Sequence, residues 1–445
     1  MMSELIRKYA LPVPRYTSYP TAPQFTADVV GDTYETWLEN LAPAANLSLY
    51  VHIPFCEALC WYCGCTTKAT RQYAPVQNYL RSLVNEISRV TSHTRPSQTV
   101  SQIHWGGGSP NILRDDDVLR LVDALRAYFS VEDDVEFAVE VDPRTHTSER
   151  TEAFMRAGVT RLSIGVQDFD EGVQRAINRV QSFETTRAVI DGFRSYGVGS
   201  VNIDLVYGLP KQSVASTLRT IKKVLELRPD RIALFGYAHL PKRITHQRLI
   251  SQEDLPDAVD RYQQSKQLAE RLIEAGYVRI GLDHFALPTD PIATAPARRN
   301  FQGYTRDDSD ALIGLGASAI GKLPQGYIQN ATATHDYSRR VRDGGLAVVR
   351  GHTLSDEDRM RALVIERIMC DLKFPADELS RCFGERAAHL FEAAAELLRD
   401  DKDGLVAPSG RGFKVTSRGR PFVRTIAAYF DAYLERKAVL YSTGV

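Results

Sequence analysis

Four of the six cysteines of this chain are crowded into one short segment. They are Cys56, Cys60, Cys63 and Cys65, and the other two lie more than three hundred residues further along. A disulfide framework would spread its cysteines through a small secreted chain, to join distant loops. A crowded set in a chain of 445 residues therefore indicates a metal or cluster site.

The spacing Cys-x3-Cys-x2-Cys favours a cubane iron–sulfur cluster. Cys56, Cys60 and Cys63 lie on one tight loop and can bind three of the four irons, which leaves the fourth iron open to a small molecule. Structural zinc is the alternative, and it needs four ligands in closed tetrahedral geometry. Cys65 follows Cys63 too closely to complete a good tetrahedron. The spacing favours the cluster and leaves zinc open.

A glycine-rich segment follows the next predicted strand. Residues 104–110 read HWGGGSP. Three glycines let backbone groups approach a ligand closely, although glycine also serves ordinary turns. Because the cysteine loop and this glycine loop follow strands of neighbouring βα units, we expect both to project from the same face of the fold.

Strand-like and helical segments alternate from residue 47 to residue 276. The predicted strands begin at Leu47, Gln102, Glu136, Arg161, Val201 and Arg231. The predicted helices cover 76–91, 115–129, 148–157, 183–196, 213–227 and 256–276. This α/β alternation predicts six parallel βα units. Right-handed crossovers would roll them into an incomplete barrel, because a closed one needs eight units, and an open doubly wound sheet is the alternative.

Two flanking segments lack this alternation, so the predicted domains are 1–46, 47–350 and 351–445. The first is an irregular arm with a short helix near 33–41. The last is mostly helical, and its predicted elements are helices over 355–371, 375–383 and 385–400, a strand-like hairpin over 404–419 and a final helix over 421–440. It is either a small winged-helix-like domain or a plain helical cap.

Charge and hydropathy exclude several classes of protein. The chain has 55 Lys and Arg against 55 Asp and Glu, a formal net charge of zero. Non-specific nucleic-acid binding requires excess positive charge. Intrinsic disorder is typical of chains with high net charge and low hydrophobicity. No apolar run reaches the length of about 18 residues that spans a membrane, and the first residues lack the apolar core of a signal peptide. We therefore expect a cytoplasmic protein with no membrane or nucleic-acid partner.

The cysteine and glycine loops together resemble those of the radical S-adenosylmethionine (SAM) enzymes. Almost the whole chain is similar to one branch, the oxygen-independent coproporphyrinogen III oxidase (dehydrogenase) family. The similar segments are PRYTSYPTA from Pro14, YVHIPFC from Tyr50, HWGGGSP from His104, EVDPR from Glu140, GVQDF from Gly165, NIDLVYGLPKQ from Asn202, YAHLP from Tyr237, DHFA from Asp283 and RNFQGYT from Arg299. The arm motif, Cys65 and RNFQGYT separate this family from its haem-chaperone relatives.

The resemblance implies an incomplete (β/α)6 radical SAM barrel with one [4Fe-4S] cluster on Cys56, Cys60 and Cys63, and Cys65 is then not a ligand. It also implies two SAM molecules per chain. Around the first would lie Tyr50, Gly107, Glu140 and Ile320. Around the second would lie Tyr62, Gly108, Ser109, Gln167, Arg179, Asp204 and Ala238. The chain departs from the family at Tyr62, commonly Phe, at Ser109, commonly Thr, and in a shorter segment 287–298.

The implied reaction is oxidative decarboxylation of two propionates of coproporphyrinogen III to vinyl groups, giving protoporphyrinogen IX in haem biosynthesis, through a 5′-deoxyadenosyl radical from SAM. No catalytic residue is assigned beyond the cluster and SAM sites. A tetracarboxylate substrate predicts a basic pocket, with Arg15, Arg298 and Arg299 as candidates. We expect a monomer reduced by a flavodoxin or ferredoxin. The alternatives on the same scaffold are a haem chaperone and a radical SAM methyltransferase or haem-degrading enzyme.

Overall fold

The protein is described by a computed structural model that covers residues 2–434 and residue 441. In the first part of the chain the elements are, in order, α1 (Met2–Tyr9), α2 (Gly31–Glu39), β1 (Asn46–Ile53), β2 (Phe55–Cys56), β3 (Lys68–Ala69), α3 (Ala74–Ser92), β4 (Thr99–Gly107), α4 (Asp115–Tyr128), β5 (Ser130–Val141), α5 (Ser148–Ala157), β6 (Arg161–Gln167), α6 (Glu171–Ala176), α7 (Phe183–Ser195), β7 (Ser200–Tyr207), α8 (Val214–Glu226), β8 (Arg231–Gly236) and α9 (Ala258–Glu274).

The second part of the chain adds short strands and then helices. Its elements are β9 (Val278–Ile280), β10 (His284–Ala286), α10 (Pro291–Thr294), β11 (Arg298–Asn300), β12 (Gly303–Thr305), β13 (Ala311–Leu315), β14 (Ile320–Leu323), β15 (Gly326–Asn330), α11 (Thr334–Arg342), β16 (Val348–Thr353), α12 (Asp356–Asp371), α13 (Ala376–Phe383), α14 (Ala388–Asp400), β17 (Val406–Ser409), β18 (Gly412–Val415) and α15 (Val423–Ala428).

Twelve of these strands form one sheet, in the order β16-β15-β14-β13-β1-β4-β5-β6-β7-β8-β10-β9. From β13 to β8 the neighbouring strands are parallel, and the six predicted βα units are confirmed within this run. The strands beyond both ends of the run are antiparallel. The two edge strands, β16 and β9, are not paired with each other, so the barrel is incomplete, as predicted.

The parallel strands are buried on both faces, as their apolar sequences require. On one face of β1 Ser48 is 2% exposed, and on the other face Leu47, Leu49, Val51 and Ile53 are each at most 1% exposed. Burial of one such side chain contributes about 1.5–3 kcal/mol. The strands are thereby held rigidly, and their carboxyl ends present loops at one end of the barrel.

The N-terminal arm and the C-terminal segment share a second core. Leu5 and Ile6 of α1 pack in one apolar cluster with Val364 and Ile368 of α12. Arg424 in α15 donates a hydrogen bond of 3.0 Å to the carbonyl of Pro14. The two ends of the chain are therefore packed against each other, while the division at 46/47 and 350/351 stays a prediction.

Two expectations for the flanks need correction. The structure has the predicted helix near 33–41, but it also has α1, which the sequence reading assigned to irregular chain. The final helix predicted over 421–440 is α15, which ends at Ala428 and is followed by turns to residue 434. The Asp431 carboxylate accepts a hydrogen bond of 2.8 Å from the backbone N–H of Tyr433, a local turn that competes with helix. Residues 435–440 lie outside the described residues.

Three predicted helices and the hairpin of the C-terminal segment are confirmed. They correspond to α12, α13, α14 and the antiparallel pair β17–β18. Among the residues that the structure describes, no helix is long and apolar enough to span a membrane.

Candidate active site

The cysteine loop leaves the carboxyl end of β1 and is held at several points along its backbone. The N–H of Trp61 donates to the carbonyl of Ile177 at 2.9 Å. The side-chain amides of Asn178 and Gln247 donate to the carbonyls of Leu59 and Tyr62, at 2.9 and 3.0 Å. These bonds come from the chain after α6 and after β8, so the folded barrel fixes the shape of the loop.

The Cys56 thiol contacts Thr67 on one side and Ser109 of the glycine loop on the other. Its Sγ is 3.2 Å from Oγ1 of Thr67, and the Ser109 hydroxyl donates to it at 3.6 Å. The backbone N–H of Ser109 donates to the carbonyl of Phe55 at 2.8 Å, which ties the two loops together. The sequence prediction that both loops share one face is confirmed.

The other two predicted ligand thiols lie close to hydrogen-bond donors. Arg144 and Arg179 donate to Sγ of Cys60 at 3.4 and 3.6 Å. Hydrogen bonding from Cys65, whose backbone N–H lies 3.4 Å from Sγ of Cys63, lowers the pKa of Cys63 to about 7. Cationic and N–H donors of this kind favour the thiolate, which is the form that binds a metal.

The glycine loop is shaped so that side chains would not fit. Gly107 has a φ of +107°, and a Cβ there would lie 2.5 Å from the ring of His52. A Cβ on Gly106 would lie 2.6 Å from Oε1 of Glu140, and one on Gly108 would lie 2.5 Å from the carbonyl oxygen of Phe55. Glycine therefore lets this loop pack directly against His52, Glu140 and the cysteine loop.

A cavity of about 450 Å³, the first chamber, opens beside the glycine loop. Its lining includes the four residues predicted for the first SAM molecule, Tyr50, Gly107, Glu140 and Ile320. The Glu140 carboxylate accepts hydrogen bonds from Nε2 of His104 at 2.9 Å and from the N–H of Gly107 at 3.2 Å. Although burial opposes ionisation, these bonds lower the pKa of Glu140, so the chamber holds a negative charge.

A second chamber of about 500 Å³ lies next to the first. Its lining includes four of the residues predicted for the second SAM molecule, Tyr62, Gln167, Asp204 and Ala238. The two chambers share Asp204, Cys65 and Phe235 as lining residues. Burial, reinforced by the charge of Glu140, raises the pKa of Asp204 to about 6.

Arg179, predicted for the second SAM molecule, lies below the chambers instead of lining them. Its guanidinium donates to the carbonyl of Gly165 at 2.6 Å and to Oδ2 of Asp142 at 3.3 Å. Burial opposes the charge of Asp142, but Arg179 and then Arg144 lower its pKa to about 2. Gly108 and Ser109 also lie outside the linings of both chambers, against the cysteine loop. All the predicted site residues thus meet at one end of the barrel.

The donor set of this end of the barrel fits an iron–sulfur cluster and SAM. Three thiols on one loop are the ligand type that such clusters take, and the first chamber beside them is lined by the backbone of Gly107 and the carboxylate of Glu140. Among the described residues, no three His, Cys, Asp or Glu side chains converge on one point where a single ion would lie. A cluster binds each thiolate through a different iron and does not require such convergence.

Two of the three arginines proposed for the substrate line a third cavity, of about 330 Å³. Arg15 and Arg299 belong to its wall. Arg298 lies outside the lining of this cavity and pairs with Glu366 at 3.6 Å, and its role in substrate binding stays a prediction.

The sequence reading missed Arg144, which is hydrogen-bonded to Cys60. It ends the segment EVDPR, from which only Glu140 was assigned. His104 was missed in the same way, within HWGGGSP. Arg144 and His104 each lie in a motif in which another residue had already been assigned to the site.

Comparisons with known proteins agree with this geometry. The model of the radical SAM superfamily matches residues 50–224, and that of the HemN C-terminal domain matches residues 354–422. The oxygen-independent coproporphyrinogen III oxidase of Bradyrhizobium diazoefficiens is 46% identical over 437 residues, 97% of each chain. The anaerobic coproporphyrinogen III oxidase 1 of Cereibacter sphaeroides is 43% identical, over 95% of this chain and 94% of its own.

A solved structure is similar over nearly the whole chain. It is that of the coproporphyrinogen III oxidase HemN from Escherichia coli, described as a radical SAM enzyme. It has a TM-score of 0.90 and 39% sequence identity, and the match covers 94% of this chain and 98% of that one.

Proposed function

The chain belongs to the oxygen-independent coproporphyrinogen III oxidase family of radical SAM enzymes, and we propose that it converts coproporphyrinogen III to protoporphyrinogen IX. Each of two propionate side chains would lose a hydrogen atom, carbon dioxide and one electron, which passes to an electron acceptor, and would become a vinyl group. When bound, the [4Fe-4S] cluster and SAM supply the reductive cleavage of SAM to methionine and a 5′-deoxyadenosyl radical, which takes a hydrogen from the propionate.

One observation carries this proposal: two adjoining chambers meet beside the cysteine loop. All four residues expected around the first SAM line the first chamber, among them Tyr50 and Glu140, and four of the seven expected around the second line the second chamber, among them Tyr62 and Ala238. Asp204 lies in the wall of both. This separation supports a count of two SAM molecules per chain, with Cys56, Cys60 and Cys63 as the cluster ligands.

The residues of the chambers have distinct tasks in this proposal. Glu140 is ionised and fixed by His104, so it can accept hydrogen bonds from the amino group of the first SAM. Asp204 lies between the chambers and can accept hydrogen bonds from ribose hydroxyls. The apolar face of Phe235 forms part of both walls and helps to exclude water, which protects a reactive species from side reactions.

Residues of the arm and of the C-terminal segment line the second chamber and the third cavity. Arg15 of the arm lines both the second chamber and the arginine-rich third cavity, and its guanidinium donates to the carbonyl of Gly236 at 2.7 Å. An anionic substrate would meet positive charge at this wall even though the chain as a whole is neutral.

The remaining proposals concern the setting of the enzyme. We propose a monomer in the cytoplasm, reduced by a flavodoxin or ferredoxin. All six cysteines are free thiols in the structure, which suits a reducing compartment.

An anaerobic assay tests the function. Protein reconstituted with iron and sulfide is supplied with reductant, SAM and coproporphyrinogen III, and 5′-deoxyadenosine and the porphyrinogen product are measured. We expect both products from the wild type and from Cys382→Ser, whose thiol is exposed and remote in sequence. We expect neither from Cys56→Ser. A Cys56→Ser protein that kept its cluster and its activity would refute the ligand assignment, and haem binding without turnover by the wild type would identify a chaperone.

A further inference from the structure

The third cavity, which we call the arginine cavity, is dominated by positive charge. Its seven basic lining residues outnumber its two acidic ones, Glu270 and Asp283. The basic residues are Arg15, Arg261, Lys266, Arg279, Arg299, Arg420 and Arg424. They come from the arm, from α9, from the short strands after it and from the C-terminal segment, so only the folded chain brings them together.

The two acidic residues offset only part of this charge. The carboxylate of Asp283 is 2.8 Å from Nδ1 of His284, and Nη1 of Arg299 is 3.9 Å from the same oxygen. Glu270 is exposed and pairs with Lys266 at 3.8 Å, one helical turn away. Both acids therefore have nearer partners than the remaining arginines of the wall.

Arg261, Arg279 and Arg420 hold backbone or aromatic groups, which carry no countercharge. Arg261 donates to the carbonyl of Tyr237 at 2.8 Å, and Arg420 donates to that of Gly281 at 2.8 Å. Arg279 lies over the ring of Phe285, with its guanidinium carbon 5.3 Å from the centroid.

The wall also holds unused hydrogen-bonding capacity. Within the described part of the chain, Nε of Arg261, Arg279 and Arg420 and Nη1 of Arg299 are buried without a hydrogen-bond partner. Burial, reinforced by the nearby Arg279, lowers the pKa of Arg420 to about 10. Crowded guanidinium groups of this kind are stabilised by a bound carboxylate, which accepts hydrogen bonds from two donors at once.

The position of the arginine cavity links it to the proposed reaction. It shares Arg15, Gly236 and Arg424 with the second chamber. Its volume of about 330 Å³ is at the lower end of the range for small-molecule sites, about 300–1,000 Å³. It can therefore accept propionate arms of a substrate whose macrocycle lies at the mouth of the chambers, but not the macrocycle itself.

Resting on the function proposed above, we propose that the arginine cavity binds propionate carboxylates of the porphyrinogen that are not reacting, with Arg261 and Arg420 as the principal donors. These carboxylates would orient the macrocycle so that a different propionate points towards the chambers. The cavity would thereby determine which side chain reacts, and would favour substrates that carry a carboxylate at the far side of the ring.

The test uses coproporphyrin III, the stable oxidised form of the substrate, and its tetramethyl ester, which lacks the four negative charges. Binding to the reconstituted enzyme is followed by the porphyrin absorbance. We expect Arg261→Gln and Arg420→Gln each to weaken binding of the acid by roughly tenfold, the size of one charge-assisted hydrogen bond. Arg420→Lys should restore part of the affinity, and the ester should bind weakly to every variant.

Arg399→Gln is the matched control, because this exposed arginine pairs with Glu396 and Asp400 on the surface of α14. It removes the same charge and should bind the acid as the wild type does. Thermal unfolding of each variant checks its fold. If both glutamine variants fail to fold, the wild type decides the matter, because binding of the acid, and not of the ester, must weaken as salt increases.

Unchanged binding of the acid by folded Arg261→Gln and Arg420→Gln would overturn the proposal. Lost SAM affinity with unchanged porphyrin affinity would also overturn it, by assigning the cavity to the carboxylate of SAM. These failures differ from a failure of the proposed function, in which the wild type itself would not convert coproporphyrinogen III. That conversion is measured with the wild type alone and does not depend on the arginine variants.

Discussion

Replacing Gly107 by alanine should damage both the stability of the barrel and its affinity for SAM. The residue has a φ of +107°, which costs a residue with a Cβ about 1–2 kcal/mol. The added Cβ would also lie 2.5 Å from the ring of His52. That ring is fixed by the carbonyl of Thr66 at 2.9 Å and the hydroxyl of Tyr50 at 3.1 Å. Moving it breaks one or both hydrogen bonds, at about 0.5–1.5 kcal/mol each.

Gly197 offers a control that separates these two costs. It has a similar φ of +92°, but a Cβ there would meet no atom within 4 Å. Gly197→Ala should therefore lose only the backbone cost of about 1–2 kcal/mol. Gly107→Ala should lose about 0.5–3 kcal/mol more, the cost of one or both broken hydrogen bonds.

Two measurements on the same pair of variants check this reasoning. Urea denaturation of the reduced apoprotein gives the difference in free energy of unfolding. Equilibrium dialysis of the reconstituted protein gives SAM affinity, which should fall in Gly107→Ala because this residue lines the first chamber and bonds Glu140. The account of the glycine loop is refuted if Gly107→Ala is no less stable than Gly197→Ala and binds SAM as the wild type does.

Three further predictions concern buried charge. Glu86→Ala should lower the free energy of unfolding by about 3 kcal/mol or more, because it leaves three buried donors without their acceptor. Burial raises the pKa of Glu86 from 4.5 to about 7, so its contribution makes stability fall as pH rises between these values, a slope that urea titrations of Glu86→Gln should lack. SAM affinity should decrease as pH falls through about 6, where Asp204 takes up a proton, and Asp204→Asn should flatten the profile of a binding titration. Arg179→Met should lower the iron bound per chain in elemental analysis and destabilise the protein by about 1.5–3 kcal/mol, since charge-assisted bonds to Asp142 and to the cysteine loop are lost. Full iron loading of this variant would contradict a positioning role.

The parallel half of the sheet was predictable because its signals are local. Each strand is a short apolar run followed by a helix with its own periodicity, so every βα unit can be recognised alone. The shared position of the cysteine and glycine loops was predictable for the same reason. Each loop comes immediately after a strand, and the carboxyl ends of parallel strands meet at one edge of the sheet.

The strands from β9 to β16 were not predicted, because their pairing is decided by tertiary contacts. The strand β13 is only five residues long and has no crossover helix, yet it pairs in parallel with β1. The strands β9, β11 and β12 have three residues each, too few for a period to be recognised. Element length, not composition, limited the prediction here.

The residues that line the two chambers also divide into those on predicted strands and those on strands that were not predicted. Glu140 and Asp204 lie on strands that the sequence predicted, but without the resemblance to a family nothing distinguished them from ordinary polar positions. Ile320, on the unpredicted strand β14, would have been assigned to the core. Of the basic residues of the arginine cavity, only Arg15 and Arg299 were predicted, because its members come from four separate parts of the chain.

The product of the anaerobic reaction, measured by mass spectrometry, tests the central claim most directly. We predict protoporphyrinogen IX, with two molecules of carbon dioxide and two of 5′-deoxyadenosine formed for each coproporphyrinogen III consumed, because each propionate requires its own hydrogen abstraction. A methylated porphyrin, or unchanged coproporphyrinogen III after SAM has been cleaved, would contradict the claim.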